Sequence, residues 1–374
     1  MNKIWVRYIC TIVIIFMSIS ANAEIGVEKD VRGYLIGTFE DGHILEEYGH
    51  HGQRPIASLS KIMVTYLLFD ELDSGNVSLE DQVTIGENPP KKVGSGMGLE
   101  EGDRVLLEDL LKGVLLPSAN DGCIAIGEHL YGSEEALVEK MNQKAIELGL
   151  EHTHYYNATG LTEGELVNSM TMEDLFELIR YLIKNHSQVL EYTKLESMEF
   201  KGKLYHNTNP LLTTREDIIG LKTGATARAG SCLSAVKKLK SDQNVVVAII
   251  MGTFSKWKRA EVAEKIFDWL DDNYKEFEIV NKNESIDVKS EDKLFSKCTG
   301  IFPSENYFLY TKNGSVFDVK TDINWESINR GNNYYTKKVG KVDVYENGMI
   351  IKSIDLELRA SEDVVKLLNK LLRF

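Results

Sequence analysis

The chain has 374 residues, with 43 Lys and Arg against 57 Asp and Glu, a formal charge of -14 and 43% hydrophobic residues. That length predicts two or three domains, and 6 Pro, 29 Gly and 4 Cys exclude a collagen-like, low-complexity or disulfide-dense chain. The acidic balance argues against nucleic acid as a partner, because nucleic-acid binders present a basic face.

The first residues read as an export address. Lys3 and Arg7 precede an apolar run at 8–19, and Ala21-Asn22-Ala23 forms an A-x-A cleavage site before Glu24. The run is shorter than the roughly 20 residues of a spanning helix; a retained anchor is the alternative. Cys10 stands at the start of the run, which disfavours a lipoprotein signal. Residues 1–23 are therefore expected to be a signal peptide, with the mature chain in the periplasm or peripheral to the outer face of the cytoplasmic membrane. Cleavage leaves Cys123, Cys232 and Cys298, of which the first two lie in apolar patterns and read as small buried residues.

Residues 33–39 and 43–48 flank Glu40-Asp41-Gly42 and predict a hairpin. From Ser58 to Gly75 the pattern is helical and apolar nearly all round, which predicts a buried central helix. Residues 106–116 and 120–130 read as two helices broken near Pro117, followed by amphipathic helices at 135–148 and 172–185. Residues 218–221, 231–236 and the β-branched run 244–250 read as strands, and 258–274 as an amphipathic helix. Short alternating runs separated by Asn-Gly turns predict a small all-β domain at 276–360. Ser361 is a candidate cap for a final helix at 361–374, whose apolar residues and whose Lys366, Lys370 and Arg373 fall on opposite halves of the wheel. That helix is expected to touch a membrane surface, with docking on the β domain as the alternative.

Lys61 lies on the apolar central helix, so it must be paired or must give up its charge. Desolvation lowers a lysine pKa and makes a neutral amine available as a base. Ser58, three residues earlier, lies about one turn away on the same face. A hydroxyl beside such a base is a candidate nucleophile. Two further elements accompany this pair. Ser118-Ala119-Asn120 sits in the break between two helices, and Lys222-Thr223-Gly224 begins an expected strand, where Gly224 would admit a substrate backbone. Each pattern is weak alone: S-x-x-K recurs at Ser234/Lys237, and S-x-N at Ser74/Asn76. Together, in this order, they match the motif set of active-site-serine penicillin-recognising enzymes. His152 and His154 lack a nearby carboxylate or Cys set and read as loop residues, so neither metal nor cofactor is expected. A triad through His50 or His51 is not needed once the lysine spacing accounts for the site.

In these segments the chain resembles low-molecular-mass penicillin-binding proteins of the D-alanyl-D-alanine carboxypeptidase type. The resemblance is carried by Arg54-Pro55-Ile56-Ala57-Ser58-Leu59-Ser60-Lys61, Leu115-Leu116-Pro117-Ser118-Ala119-Asn120-Asp121, Asn157-Ala158-Thr159-Gly160-Leu161 and Asp217-Ile218-Ile219-Gly220-Leu221-Lys222-Thr223-Gly224. It covers about 30–275 strongly and the remainder more loosely. It implies an α/β fold: a β-lactamase/transpeptidase-like domain at 24–275, an antiparallel sheet flanked by helices, followed by the small all-β domain and the terminal helix.

The resemblance also implies roles. Ser58 would attack the carbonyl between the last two D-alanines of a peptidoglycan stem peptide, and Lys61 would take its proton. Backbone N–H groups of Ser58 and Ala225 would form the oxyanion hole. Ser118, linked to Lys222, would protonate the leaving amine, and Asn120 would hold the substrate amide and orient Lys61. Thr223 and Arg259 would bind the terminal carboxylate. β-Lactams would acylate Ser58 as covalent inhibitors. Two departures stand out: many members have His where this chain has Ala225, and the segment 254–258 before Arg259 is two residues longer. A β-lactamase and a non-catalytic cell-wall peptide binder are the rival readings, separable by whether penicillin labels stably, turns over quickly or does not label.

Overall fold

The computed structural model describes residues 25–49, 51–241, 244–286, 299–323, 337–346 and 348–360. The expected signal peptide at 1–23, Cys298 and the expected helix at 361–374 lie outside the described residues. One compact unit spans Ala23–Asp272 and a second holds Asn273–Phe374.

In the first unit, β1 (Gly33–Thr38) and β2 (Ile44–Gly49) form the expected hairpin. α1 (Lys61–Asp73), α2 (Leu107–Leu115), α3 (Asn120–Tyr131), α4 (Glu134–Glu147) and α5 (Met172–Asn185) follow. β3 (Ile218–Thr226), β4 (Gly230–Lys238), β5 (Val245–Thr253) and α6 (Lys256–Asn273) close the unit. The sheet is antiparallel, in the order β2-β1-β5-β4-β3. The β-branched run takes the central place because it is buried on both faces. Val247, Ile249 and Met251 join the core built on α1, while Val246, Ala248 and Ile250 are equally buried on the opposite face.

α1 is buried from Lys61 to Phe69, as its all-round apolar pattern requires. α5 instead buries one stripe, and Thr171 caps it by accepting from the Asp174 N–H at 3.1 Å. The expected helix start at Ser58 needs correction. Ala57 adopts φ +49° and Ala57–Ser60 form a 3-10 turn, so the α-helix begins only at Lys61. This tight turn raises Ser58 out of the helix proper. A two-stranded ladder of Arg54–Pro55 with Ser169–Met170, too short to carry a period in sequence, fixes the chain entering the turn.

The second unit is all β among its described residues. β6 (Tyr274–Val280) pairs with β8 (Tyr307–Lys312). β7 (Thr299–Pro303), β9 (Phe317–Ile323), β10 (Lys337–Glu346) and β11 (Met349–Ala360) form a sheet in the order β7-β11-β10-β9. Its core holds Ile301, Val342, Val344, Ile354, Leu356 and Leu358.

The loop after α4 packs directly on the 3-10 turn. Gly160 has φ +79°, and a Cβ there would stand 1.9 Å from the Ala57 carbonyl oxygen. Gly160→Ala is therefore expected to lower stability by about 3 kcal/mol or more, read as a lower urea midpoint with an unchanged slope, and to depress activity with it.

Candidate active site

Ser58 and Lys61 meet as their spacing predicts: Lys61 Nζ lies 2.9 Å from Ser58 Oγ. The same nitrogen donates to Asn120 Oδ1 at 2.7 Å and to the Thr159 carbonyl at 3.1 Å. Lys61 is fully buried, and desolvation pushes its pKa down to about 8 against the opposing fields of Cys123 and Asp121. Burial with no acidic side chain paired to it favours the neutral amine. Its three neighbours are all oxygens: the Asn120 and Thr159 carbonyls and the Ser58 hydroxyl.

Asn120 opens α3, where its N–H donates to the Ser95 carbonyl at 2.7 Å and its Nδ2 to the Val93 carbonyl at 2.6 Å. Its neighbour Asp121 shapes the facing loop. That carboxylate accepts from the N–H groups of Met97, Gly98, Leu99 and Gly122 at 2.9–3.1 Å. A second buried residue, Asn168, accepts from the Tyr156 and Asn157 N–H groups and donates to Ser60 Oγ at 2.9 Å. Ser60 Oγ in turn donates to the Ala57 carbonyl at 2.8 Å, so Asn168 locks the loop to the nucleophile turn.

Ser118 lies between α2 and α3 with φ +64°, and its buried Oγ has no hydrogen-bond partner among the described residues. The expected link from Ser118 to Lys222 is not among the hydrogen bonds. Lys222 Nζ donates instead to its neighbour's carbonyl, Thr223 O, at 3.2 Å. Lys222 is buried, and desolvation, then the charges of Lys61 and Arg259, hold its pKa well below the usual lysine range.

Lys222, Thr223 and Gly224 do not begin a strand, as expected, but lie in the second half of the edge strand β3. The strand enters at Ile218, where the apolar run 218–221 begins, and continues through the mixed residues 222–226. Gly224 also serves a different neighbour from the one anticipated. A Cβ there would lie 3.0 Å from the Ile56 carbonyl and 3.1 Å from the Ser58 nitrogen. The glycine lets the strand approach the nucleophile turn itself. Ala225, the next residue, has an exposed side chain and pairs with Ser231 on β4.

Thr208, which no motif marks, joins the remaining pieces. Its N–H and Oγ1 both donate to the Leu116 carbonyl, at 3.1 and 3.2 Å, which ties it to the Ser118 turn. Its Oγ1 accepts from Thr223 Oγ1 at 2.7 Å, and its carbonyl accepts from Arg259 Nη2 at 3.0 Å. Arg259 also reaches the Cys232 carbonyl at 3.4 Å, and its buried Nε has no partner among the described residues. Burial pushes the guanidinium down to about 10. No acidic side chain among the described residues pairs with Lys61, Lys222 or Arg259. Cys123 and Cys232 are buried free thiols, as expected, pushed by burial up to about 12 and about 11.

Residues 20–255 match the family model described as D-alanyl-D-alanine carboxypeptidase. The chain belongs to that family. It is 32% identical over 288 residues to D-alanyl-D-alanine carboxypeptidase DacF of Bacillus subtilis (strain 168), covering 76% of this chain and 73% of that protein. Penicillin binding protein 6B from Escherichia coli aligns at 26% identity and TM-score 0.68, over 87% of this chain and 94% of that one. Penicillin-Binding Protein D2 from Listeria monocytogenes, solved in its ampicillin-bound form, aligns at 28% identity and TM-score 0.58, over 64% of this chain and 96% of that one. Family and fold agree with what the motifs implied.

Asp121 was visible in the sequence only as a neighbour of the S-x-N element, yet it anchors the loop that faces the site. Asp121→Ala is expected to cost about 3 kcal/mol or more, because several backbone donors lose their acceptor together. Urea unfolding and faster amide exchange at 97–99 would report it.

Proposed function

We propose that this chain is a serine-type D-Ala-D-Ala carboxypeptidase that removes the terminal D-alanine from peptidoglycan stem peptides through an acyl-enzyme on Ser58. The observation that carries the reading is Lys61 Nζ at 2.9 Å from Ser58 Oγ, in a site where three buried basic side chains lack an acidic partner among the described residues. With Lys61 neutral, the buried Arg259 guanidinium still lacks a negative partner among the described residues. A peptide that ends in a free carboxylate supplies it.

The steps are those the family resemblance implies, and the Ser58–Lys61–Asn120 contacts support them. Ser58 Oγ attacks the carbonyl between the last two D-alanines, and its proton moves to the neutral Lys61 amine. The backbone N–H groups of Ser58 and Ala225 face the developing oxyanion, each donor worth about 2.7–4 kcal/mol. Asn120 keeps Lys61 aimed and meets the substrate amide. Thr223 and the Arg259 guanidinium take the terminal carboxylate. Ser118, whose hydroxyl is unengaged, passes its proton to the departing amine and is reprotonated by the proton that Lys61 took from Ser58, with the charge of Lys222 favouring the transfer. Water then cleaves the ester and frees Ser58. A β-lactam carries an acyl group and a carboxylate in the same relation and would acylate Ser58 irreversibly or slowly reversibly.

We also propose that 1–23 directs export, that 24–275 is the catalytic domain and 276–360 a separate β domain, and that 361–374 contacts the membrane surface. The charged, apolar and A-x-A order of the first segment and the two-sided wheel of the last support these readings. Among the described residues no helix is long and apolar enough to cross a membrane.

Mass spectrometry of the penicillin-treated protein should find one stable adduct on Ser58, and none in Ser58→Ala, which should also release no D-alanine. Fast turnover of the adduct would indicate a β-lactamase, and no adduct a binding protein. The acylation rate should rise with pH through a limb near 8, as the depressed Lys61 loses its proton. Lys61→Ala should slow acylation by roughly 10²–10⁴-fold and abolish the limb. Stability moves in the same direction. The unfolded chain binds the Lys61 proton more tightly, so burial destabilises below about 8 and this penalty fades as pH rises toward the ordinary lysine range.

A further inference from the structure

Lys92 follows a 3-10 turn at Pro89–Lys91 and is only 19% exposed at its side chain, in a stretch whose next residue, Val93, is 71% exposed. Its Nζ contacts Glu134 Oε1 and Oε2 at 3.1 and 2.9 Å, and Glu163 Oε1 at 3.1 Å. Burial works against its charge, but the two carboxylates outweigh that and raise its proton affinity. A lysine clasped by two carboxylates from separate segments is a tie between them.

Both segments end on the catalytic amine. On one side, the Val93 carbonyl holds Asn120 Nδ2 at 2.6 Å and the Ser95 carbonyl holds the Asn120 N–H at 2.7 Å. The approach is close, since a Cβ on Gly94 would stand 2.7 Å from Asn120 Nδ2. On the other side, Glu134 Oε1 accepts the Ala158 N–H at 3.1 Å, and the next carbonyl, Thr159 O, accepts from Lys61. Glu163 lies in the same loop, closed by the Glu163–Leu166 backbone pair. Two of the acceptors of Lys61, Asn120 and the Thr159 carbonyl, are thus held by segments that meet at Lys92. Val93 has little burial of its own, and the ion pair beside it adds to the ties from Asn120.

We infer that Lys92 is a positioning residue for the Ser58–Lys61 pair: its ammonium clamps the 92–95 segment to Glu134 and Glu163 and so fixes Asn120 and the Thr159 carbonyl around the Lys61 amine. The inference rests on Lys61 acting as the base. Lys92 also acts through charge. Lys61 is faced by Asp121 and Cys123 from α3, by Lys222 from β3 and by Lys92, and the positive charge at 92 favours the neutral amine. Removing it leaves Glu134 and Glu163 uncompensated and makes Lys61 a stronger proton binder.

The test measures penicillin acylation of Ser58 against pH in the full chain, with thermal unfolding as a check on folding. Lys92→Met is expected to slow acylation at neutral pH roughly three- to ten-fold and to move the acid limb upward by on the order of half a pH unit. Lys92→Arg, which keeps the charge and the two-carboxylate geometry, should restore rate and limb. Should Lys92→Met unfold, Glu163→Gln keeps the Lys92–Glu134 pair, removes one negative charge and should move the limb downward. A folded Lys92→Met with the wild-type limb, a pH-independent loss that Lys92→Arg does not restore, or an unmoved limb in Glu163→Gln would each overturn the inference. A wild-type protein that penicillin does not acylate, or a Lys61→Ala variant that keeps its rate, would instead reject the base itself.

Discussion

Everything at this site depends on taking amines out of water without giving them acids. A lysine beside a carboxylate stays an ammonium and cannot accept a proton. Lys61 is buried among carbonyl oxygens and a hydroxyl instead, and its pKa falls toward the range where a base works. The charge of Lys92 pushes in the same direction, and Lys61 and Arg259 do the same to Lys222. The one acid close to Lys61 on α3, Asp121, is turned toward backbone N–H groups of the facing loop. The same electrostatics that prepare the base prepare the site for an anionic chain end.

That arrangement is costly, and the fold surrounds it with rigid parts. Burying cations without acidic partners opposes folding, so the groups around them must be held by interactions that favour it. The central helix gives nine consecutive buried residues from Lys61 to Phe69, the sheet gives a β-branched central strand, and a cluster of Asn and Ser side chains replaces loose backbone contacts with fixed ones. Positive φ at Ala57 and Ser118 belongs to the same pattern. Backbone strain sits at the two serines' turns, where surrounding packing over-determines the conformation.

The two departures from the family pattern find simple accommodation. Ala225 keeps its place in β3 while its side chain is exposed, so a change of side chain there leaves the course of the strand unaltered. The segment before Arg259 faces outward. Phe254 and Trp257 are 77% and 87% exposed, and Ser255 Oγ accepts the Lys258 N–H at 3.0 Å, which restarts the chain as α6. Arg259 thereby still reaches inward to the Thr208 and Cys232 carbonyls.

Period and spacing made much of this legible. The hairpin, the all-round apolar helix, the amphipathic α5, the buried β5 and the Ser58–Lys61 pair all follow from contacts within a few residues, and the sequence records those directly. The order of three motifs identified the chemistry, because each supplies a group type the reaction needs. What sequence could not determine was which distant atoms fill the remaining valences. Thr208 works through a carbonyl and a hydroxyl, Thr159 through a carbonyl alone, and such groups leave no signature in residue type. Gly224 was readable as a close approach, but whether substrate or the nucleophile turn approaches it depends on how β3 docks against residues 56–58. The chain encodes its elements locally; the site's charge balance, with three basic side chains and no acidic partner among the described residues, exists only once those elements are packed.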